Sequence, residues 1–186
     1  MEFRATPIPD LTVIQPSPIV DHRGHFARVW CIEEFAQAGL DFEFVQANVQ
    51  FSPRAGTLRG MHFQREPHQE VKLVRCTRGA AYDVVVDLRP DSPAYRSWHA
   101  EVLRADEYTT LWVPEGCAHG YLTLEPDSEV LYHTSHAYAP DAATGVRYDD
   151  PAFGIAWPRA VEVISERDAT WPLLLGDAER EASRQG

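Results

Sequence analysis

Apolar and polar residues alternate along much of the chain, a pattern that is typical of β-strands with one buried face. The segment FEFVQANVQFS, residues 42–52, is a clear example. Turn-forming residues recur about every ten residues through the centre of the chain, which favours a sandwich or barrel over alternating β–α units. The pattern therefore predicts an all-β domain built from many short strands.

Several other segments have predicted elements. The β-rich stretches, some with internal turns, are residues 11–20, 56–64, 71–89, 98–114 and 116–135. Pro16 and Pro18 are expected to interrupt the first of them, and a turn is expected at Asp21–Gly24. Residues 32–39 predict a short helix closed by Gly39. Residues 161–174 predict a closing strand followed by a helical turn.

The length of 186 residues suits a single all-β domain. We expect residues 1–176 to form this domain and residues 177–186, which are small and polar, to form a tail. Hydrophobic residues make up 44% of the sequence and charged residues 24%, so an ordinary core can form.

The net charge is −11 at pH 7. A nucleic-acid-binding domain normally has a basic face, so the charge argues against nucleic acid as a partner. An anionic small molecule is compatible with this charge if arginines gather at its pocket, because the net charge of a protein steers approach without defining a site.

The cysteines and the start of the chain bear on the compartment. Cys31, Cys76 and Cys117 are far apart and form no CxxC pair, so we expect three free thiols in a reducing compartment. The first residues lack the basic start and apolar run of a signal peptide. No apolar stretch approaches the ~20 residues that cross a bilayer. The sequence therefore predicts a cytoplasmic protein with no membrane partner.

Two short motifs contain most of the candidate chemistry. The first, GTLRGMHFQREPHQEVKLVRCTRG at residues 56–79, contains Gly56 and His62, and the second, PEGCAH at residues 114–119, ends in His119. Together they resemble the two sequence boxes of the cupin superfamily. In metal-binding cupins, two histidines and a glutamate of the first box and the histidine of the second bind one ion.

The metal-binding set is incomplete in this sequence. The second histidine position is Gln64, and the glutamate position falls on His68 or Gln69. A catalytic transition-metal site needs about three good ligands in a defined geometry, and an amide is a poor one. We therefore expect no metal and a pocket used for acid–base chemistry, with a metal-dependent cupin enzyme as the alternative.

Seven longer segments give a more specific resemblance. Over about residues 8–175 the chain resembles the dTDP-4-dehydrorhamnose 3,5-epimerases, in the segments DHRGHF, LRGMHFQ, VKLVRCTRGAAYDVVVDLR, LWVPEGCAHGY, EVLYHTSHAYAP, GVRYDDPAFGIAWP and ISERDA. The resemblance implies a two-sheet cupin jelly roll with a few short helices, no metal or organic cofactor, and a homodimer. It also implies epimerisation at C3, C5 or both of a dTDP-linked 4-keto-6-deoxyhexose.

The same resemblance assigns roles to ten residues. It implies that His62 is the general base and Asp168 its carboxylate partner. It also implies that Tyr132 is the general acid and that Lys72 is the cation beside the sugar ketone. The substrate-binding positions are two arginines near the diphosphate and four further pocket residues: Arg59, Arg23, Gln46, Asn48, His119 and Tyr138.

These residue types suit removal of a proton from a carbon next to a ketone. The pKa of imidazole is near neutral pH, and a carboxylate on its second nitrogen fixes the tautomer and favours the imidazolium. An ammonium stabilises the enolate oxygen, by ~3–4 kcal/mol. A phenol across the sugar ring returns a proton to the opposite face. Arginine offers a diphosphate two parallel donors.

Simple alternation along GTLRGMHF conflicts with one pair of assignments. It places Leu58, Gly60 and His62 on one face of the strand and Arg59 on the other, whereas Arg59 and His62 are expected in one pocket. A bend or bulge near Gly60, or a substrate that reaches around the end of the strand, would remove the conflict. Taken alone, His62 is also compatible with a buried structural histidine, and Asp168 with a helix N-cap.

Three positions depart from the pattern that is usual in this family. Arg28 stands where an acidic residue is common, Ala47 where an aspartate is frequent, and Phe51 where an arginine is frequent. Because Ala47 and Phe51 lie in a strand that is expected to line the pocket, nucleotide and sugar specificity stays open. A catalytically silent sugar-nucleotide-binding protein is the alternative that is not an enzyme.

Overall fold

The computed structural model describes residues 1–174, and within them the chain is mainly β-strand with two short helices. The strands in chain order are β1 (Glu2–Ala5), β2 (Thr12–Gln15), β3 (Ile19–Asp21), β4 (Gly24–Phe26), β5 (Gln46–Ser52), β6 (Leu58–Gln64), β7 (Lys72–Arg78), β8 (Ala80–Asp87), β9 (Trp98–Arg104), β10 (Thr110–Val113), β11 (Cys117–Thr123), β12 (Ser128–Thr134) and β13 (Ala143–Gly145). The helices are α1 (Ile32–Gln37) and α2 (Glu166–Ala169). The all-β prediction is confirmed, and the expected tail at 177–186 lies outside the described residues.

Two antiparallel sheets form the body of the domain. One has six strands in the order β1-β2-β10-β7-β12-β5, and the other has five in the order β13-β6-β11-β8-β9. A core between them draws side chains from both, including Val74 and Val130 from the larger sheet and Val85, Leu103 and Tyr121 from the smaller. This is the jelly-roll architecture that the resemblance implies. A pocket can form between the two sheets where polar side chains take the place of these apolar core residues.

Smaller elements follow local sequence signals. The turn at Asp21–Gly24 joins β3 and β4 into a separate two-stranded sheet. Helix α1 buries Phe35, and after it Gly39 adopts a left-handed φ of 77°, as its position predicted. The prediction of a strand within residues 161–174 is wrong, because this segment forms only a single β-bridge, between Val163 and Thr57. No helix within residues 1–174 is long and apolar enough to cross a membrane.

The pairing of β6 with β11 is irregular at Gly60. His62 lies opposite His119 and Arg59 lies opposite Tyr121, so β6 has one more residue than β11 between these two pairs. His119 and Tyr121 are two residues apart and share a face of their strand, so their partners Arg59 and His62 share that face as well. Simple alternation was therefore wrong for this strand, and the alternative of a bulge near Gly60 is confirmed.

Glycine is required on both sides of this bulge because the two backbones are in contact. A Cβ built on Gly120 would lie 2.8 Å from the Arg59 carbonyl oxygen and 2.9 Å from the Cα of Gly60. A Cβ on Gly60 would lie 2.6 Å from the Cα of Gly120. Gly60 also has a φ of 143°, which L side chains rarely adopt. The bulge therefore depends on two residues without side chains.

Candidate active site

A cavity of about 230 Å³ opens between the two sheets. The five-stranded sheet contributes the side chains that the bulge brings onto one face, together with their partners on β11: Arg59, His62, His119 and Tyr121. The six-stranded sheet contributes alternate residues of β5, β7 and β12: Gln46, Asn48, Gln50, Lys72, Tyr132 and Thr134. Of the ten predicted site residues, eight line this cavity, and Asp168 lies directly behind one of them.

His62 and Asp168 form a hydrogen-bonded pair. His62 Nε2 lies 2.7 Å from Asp168 Oδ1, and the backbone N–H of Gly60 donates to the other carboxylate oxygen at 3.2 Å. The His62 side chain is 38% exposed, whereas the Asp168 side chain is 8% exposed. Ser165, whose hydroxyl accepts from the Asp168 backbone N–H, is the N-cap of α2, so the reading of Asp168 as that cap is wrong.

The environment of Asp168 keeps its carboxylate ionised. Burial alone would raise the pKa of Asp168, but the hydrogen bond and charge of His62 and the N–H of Gly60 outweigh it, so the pKa lies below its ordinary value. With Nε2 donating to this carboxylate, the second ring nitrogen of His62 has the lone pair. The pair can therefore accept a proton from a ligand and stabilise the imidazolium that results.

Asp168 should also make stability depend on acid pH. Because its pKa is depressed on folding, its contribution is complete above the ordinary carboxyl value of 3.8 and is lost as pH falls through the lower folded value. We expect wild type to unfold at a higher temperature than Asp168→Asn at pH 6, with the difference shrinking below pH 4. Thermal unfolding followed by circular dichroism tests this, and a constant difference from pH 6 to pH 3 would contradict it.

Lys72 and Tyr132 face His62 from the opposite sheet. Lys72 is buried on β7, an interior strand of the six-stranded sheet that is paired on both sides. Its Nζ donates to the His62 carbonyl oxygen at 3.2 Å. Burial raises the pKa of the Tyr132 hydroxyl, the charge of Glu70 raises it further, and Arg59 opposes both. Tyr132 is therefore a protonated phenol at neutral pH.

The polar wall on β5 leaves a donor available for a ligand. Gln46 Nε2 donates to Asn48 Oδ1 at 3.0 Å, and Gln46 Oε1 accepts from the backbone N–H of Tyr138 at 3.1 Å, at the rim of the cavity. Among the described residues, the buried Asn48 Nδ2 has no hydrogen-bond partner. A buried donor in this state costs free energy unless a ligand or water accepts from it.

The cavity is more positive than the chain as a whole. Within residues 1–174, the charged side chains that line it, apart from its histidines, are those of Arg59, Lys72 and Arg167 and the carboxylate of Glu70. Arg59 is held by the hydroxyl of Ser52 and by a backbone carbonyl of β5, at 3.3 and 3.1 Å. Arg167 and Glu70 were both missed at the sequence level, although each lies within two positions of a predicted catalytic residue. A chain with a net charge of −11 thus contains a pocket suited to an anion.

A family model described as dTDP-4-dehydrorhamnose 3,5-epimerase matches residues 5–175. The chain belongs to this family. The resemblance drawn from the motifs is therefore confirmed, and with it the classification of the protein as an isomerase, an epimerase of deoxysugar biosynthesis.

Sequence and structure relatives agree with this family. The dTDP-4-dehydrorhamnose 3,5-epimerase of Sinorhizobium fredii is 41% identical over 175 residues, which cover 94% of this chain and 90% of the relative. The crystal structure of the Bacillus anthracis epimerase with TDP and PPi bound has a TM-score of 0.90 at 38% identity, covering 93% and 99% of the two chains. The Legionella pneumophila epimerase in complex with dTDP-4-keto-L-rhamnose has a TM-score of 0.88 at 33% identity, covering 96% and 95%.

Gln64, which occupies a metal-ligand position of other cupins, has a different task in this epimerase. Its Nε2 donates to the carbonyl oxygens of His68 and Ala137 at 2.9 and 3.3 Å, and its Oε1 accepts from the Ala139 N–H at 2.6 Å. The amide thus pins two loops beside the cavity, one of which contains Tyr138. Within residues 1–174, no group of three or more His, Cys, Asp or Glu side chains is arranged to hold a metal ion.

His119 faces the cavity from β11 with its own carboxylate partner. Its Nε2 lies 2.9 Å from both carboxylate oxygens of the fully buried Asp83. This contact fixes the orientation of the His119 ring. His119 lies directly opposite His62 in the pairing of β11 with β6, which agrees with its expected role as a pocket residue.

Several other expectations are not met within one chain. Arg23 lies in the turn of the exposed β3–β4 hairpin, where it pairs with Asp21, and it is not among the described residues that line the cavity of its own chain. Ala47 and Phe51 are on the outward face of β5, because the inward positions are the alternate ones, so they do not change the polarity of the pocket wall. Arg28 pairs with a glutamate of α1 at 3.0 Å and is a surface residue here.

Proposed function

We propose that the cavity binds a dTDP-linked 4-keto-6-deoxyhexose and inverts C3, C5 or both, with His62 as base and Tyr132 as acid. The observation that carries this proposal is the placement of the two groups on opposing sheets across one cavity. Inversion requires a proton to leave one face of the sugar ring and another to arrive at the other face. An imidazole and a phenol on facing walls meet that requirement.

The reaction begins at the carbon next to the ketone. His62 takes a proton from this carbon, the electron pair of the C–H bond forms the enolate double bond, and the carbonyl oxygen becomes an oxyanion. Asp168 stabilises the imidazolium through its 2.7 Å contact with Nε2. Lys72 donates to the oxyanion, an interaction that contributes ~3–4 kcal/mol in comparable sites.

The second half of the reaction returns a proton to the opposite face. The hydroxyl of Tyr132 donates to the carbanion carbon, and the ketone re-forms as the electron pair moves back. The enzyme then has one extra proton on His62 and one fewer on Tyr132, and exchange with water restores both. Because the burial of Tyr132 raises its pKa, the phenol is protonated at the start of each turnover.

The charges and donors of the cavity suit the nucleotide. Arg59 and Arg167 provide fork-shaped pairs of donors for a diphosphate. This planar geometry matches phosphate oxygens better than the compact charge of a lysine does. Asn48 Nδ2, which has no partner among the described residues, can donate to a substrate oxygen. Contacts remote from the ketone then hold the sugar against the base.

We also propose that the protein is a cytoplasmic homodimer of single-domain chains, residues 1–176. The free thiols of Cys31, Cys76 and Cys117 support a reducing compartment. The β3–β4 hairpin exposes three apolar side chains to 69%, 77% and 63%, those of Ile19, Val20 and Phe26, as expected for a surface that a second copy covers. A homodimer would also bring Arg23 near a diphosphate in the neighbouring copy. Sedimentation equilibrium is expected to give a dimer, and a monomer at all concentrations would contradict it.

Proton exchange tests the proposed function directly. In D₂O, the chain incubated with dTDP-4-keto-6-deoxyglucose is expected to introduce deuterium at C3, C5 or both, and NMR assigns the carbon. Tight substrate binding without exchange above the enzyme-free rate would identify a silent binding protein instead. Stoichiometric transition metal in the purified protein, lost together with activity on chelation, would favour the metal-dependent alternative.

A further inference from the structure

Glu70 is a carboxylate inside the cavity to which the proposed reaction gives no task. It lies just before β7, lines the cavity, and has a side chain that is only 11% exposed. Its Oε1 lies 3.1 Å from Lys72 Nζ. Burying a carboxylate is costly unless a partner compensates, so this side chain is held in the pocket by the ammonium.

The contacts of Lys72 leave one of its donors for the substrate. An ammonium has three N–H donors. One is directed at Glu70 at 3.1 Å and a second at the His62 carbonyl oxygen at 3.2 Å. The two contacts come from different walls of the cavity and fix the position of a side chain that is otherwise flexible. Among the described residues this ammonium has no third partner, so its remaining donor is available for the sugar ketone.

Glu70 also acts on the general acid from the same cavity. Besides Glu70, the charged and titratable groups that line the cavity around Tyr132 are Arg59 and His62 on β6, Lys72 on β7, His119 and Tyr121 on β11, and Arg167 on α2. Behind them, the carboxylates of Asp168 and Asp83 are hydrogen-bonded to His62 and His119. Tyr138 lies at the rim, and the inward residues of β5 are uncharged. Among the described residues that line the cavity, Glu70 is the acidic side chain, and its charge adds to burial, the larger cause, in raising the pKa of Tyr132.

We propose that Glu70 is a positioning residue of the epimerase, whose carboxylate anchors the Lys72 ammonium beside the ketone and places a negative charge in the cavity that Tyr132 also lines. This inference rests on the proposed function. In the proposed reaction this carboxylate contacts neither the substrate ketone nor the reacting carbon. It acts through the two groups that do, and its effect is greatest at alkaline pH, where Tyr132 begins to lose its proton.

The test compares pH profiles of Glu70 variants. Glu70→Gln retains the shape and an oxygen acceptor for Lys72 but removes the charge, so the alkaline limb of kcat/KM is expected to move to lower pH. The ratio of mutant to wild-type kcat/KM is measured at pH 7.5 and at one pH on the alkaline limb. The ratio on the limb should be roughly tenfold lower than the ratio at pH 7.5. Glu70→Asp retains the charge, so its alkaline limb should stay with wild type even where kcat falls.

Controls make the outcomes distinct. Glu101→Gln removes a paired carboxylate on β9, outside the cavity, and should leave the limb unmoved. Circular dichroism at each pH checks folding, and Glu70→Ser replaces Glu70→Gln if the latter does not fold. An unmoved limb in the charge-free variant, or equal shifts in that variant and Glu70→Asp, overturns the inference. Absence of deuterium exchange in wild type would instead overturn the proposed function.

Discussion

Replacing His62 with asparagine is expected to lower the rate of deuterium exchange by about 10³-fold, because general base catalysis contributes 10²–10⁴-fold. Asparagine retains a polar side chain of similar width but has no nitrogen that can accept a proton. The pocket cations remain in place, so binding of dTDP should change little. The measurement is the initial rate of deuterium incorporation by NMR at saturating substrate, beside the dissociation constant for dTDP.

A second histidine–carboxylate pair provides a matched control for this variant. On β9, His99 Nε2 lies 3.1 Å from Glu101 Oε1, outside the cavity. His99→Asn therefore breaks the same kind of contact and should leave the exchange rate within about twofold of wild type. If His62→Asn retained exchange while Tyr132→Phe lost it at every carbon, the roles of base and acid would have to be reversed.

Replacing Gly120 with alanine is expected to cost both stability and activity. The added Cβ would lie 2.7 Å from the Met61 sulfur and 2.8 Å from the Arg59 carbonyl oxygen, and backbone cannot move aside as a flexible side chain can. Overpacking of this kind costs about 1–3 kcal/mol. Each kcal/mol lowers the unfolding temperature of a domain of this size by about 2–4 °C. Thermal unfolding measures this loss.

The effect on activity has a separate cause. A shift of β6 away from β11 moves Arg59 and His62, which lie opposite Tyr121 and His119 across the bulge. A displacement of about 1 Å at a reacting group can cost 10²-fold in rate. Gly154→Ala is the control, because its Cβ meets no atom within 4 Å while its φ of 61° still strains the backbone. It should lower stability and leave the exchange rate of the folded protein unchanged. Equal loss of rate in both variants would contradict a specific role for the bulge.

Sequence reasoning succeeded where a residue's environment depends on its own strand. Alternation in β5 correctly separates one set of polar side chains from the apolar set between them. It does not show which set faces the pocket, because that depends on the second sheet. For this reason Ala47 and Phe51 were expected to affect the pocket and instead lie outside it. At Gly60 the local sequence conflicted with the family assignment, and the conflict correctly located the bulge.

The misses share a physical origin. Arg23 belongs to a hairpin that pairs with neither main sheet, and no pattern within one chain indicates where such a hairpin packs. Glu70 and Arg167 enter the cavity from a loop and from the short helix α2, where no strand period predicts the direction of a side chain. The family resemblance indicated the groups proposed to react, while the electrostatic neighbours of those groups became visible only in three dimensions.

The contact between His62 and Asp168 joins positions separated by 106 residues, with the carboxylate close to the end of the described chain. During synthesis on a ribosome, every strand of both sheets leaves the exit tunnel before Asp168 does. A nascent chain can therefore pair the strands of both sheets while the His62 imidazole still lacks its carboxylate partner. The hydrogen-bonded pair therefore forms only after α2 has been synthesised and has packed against β6.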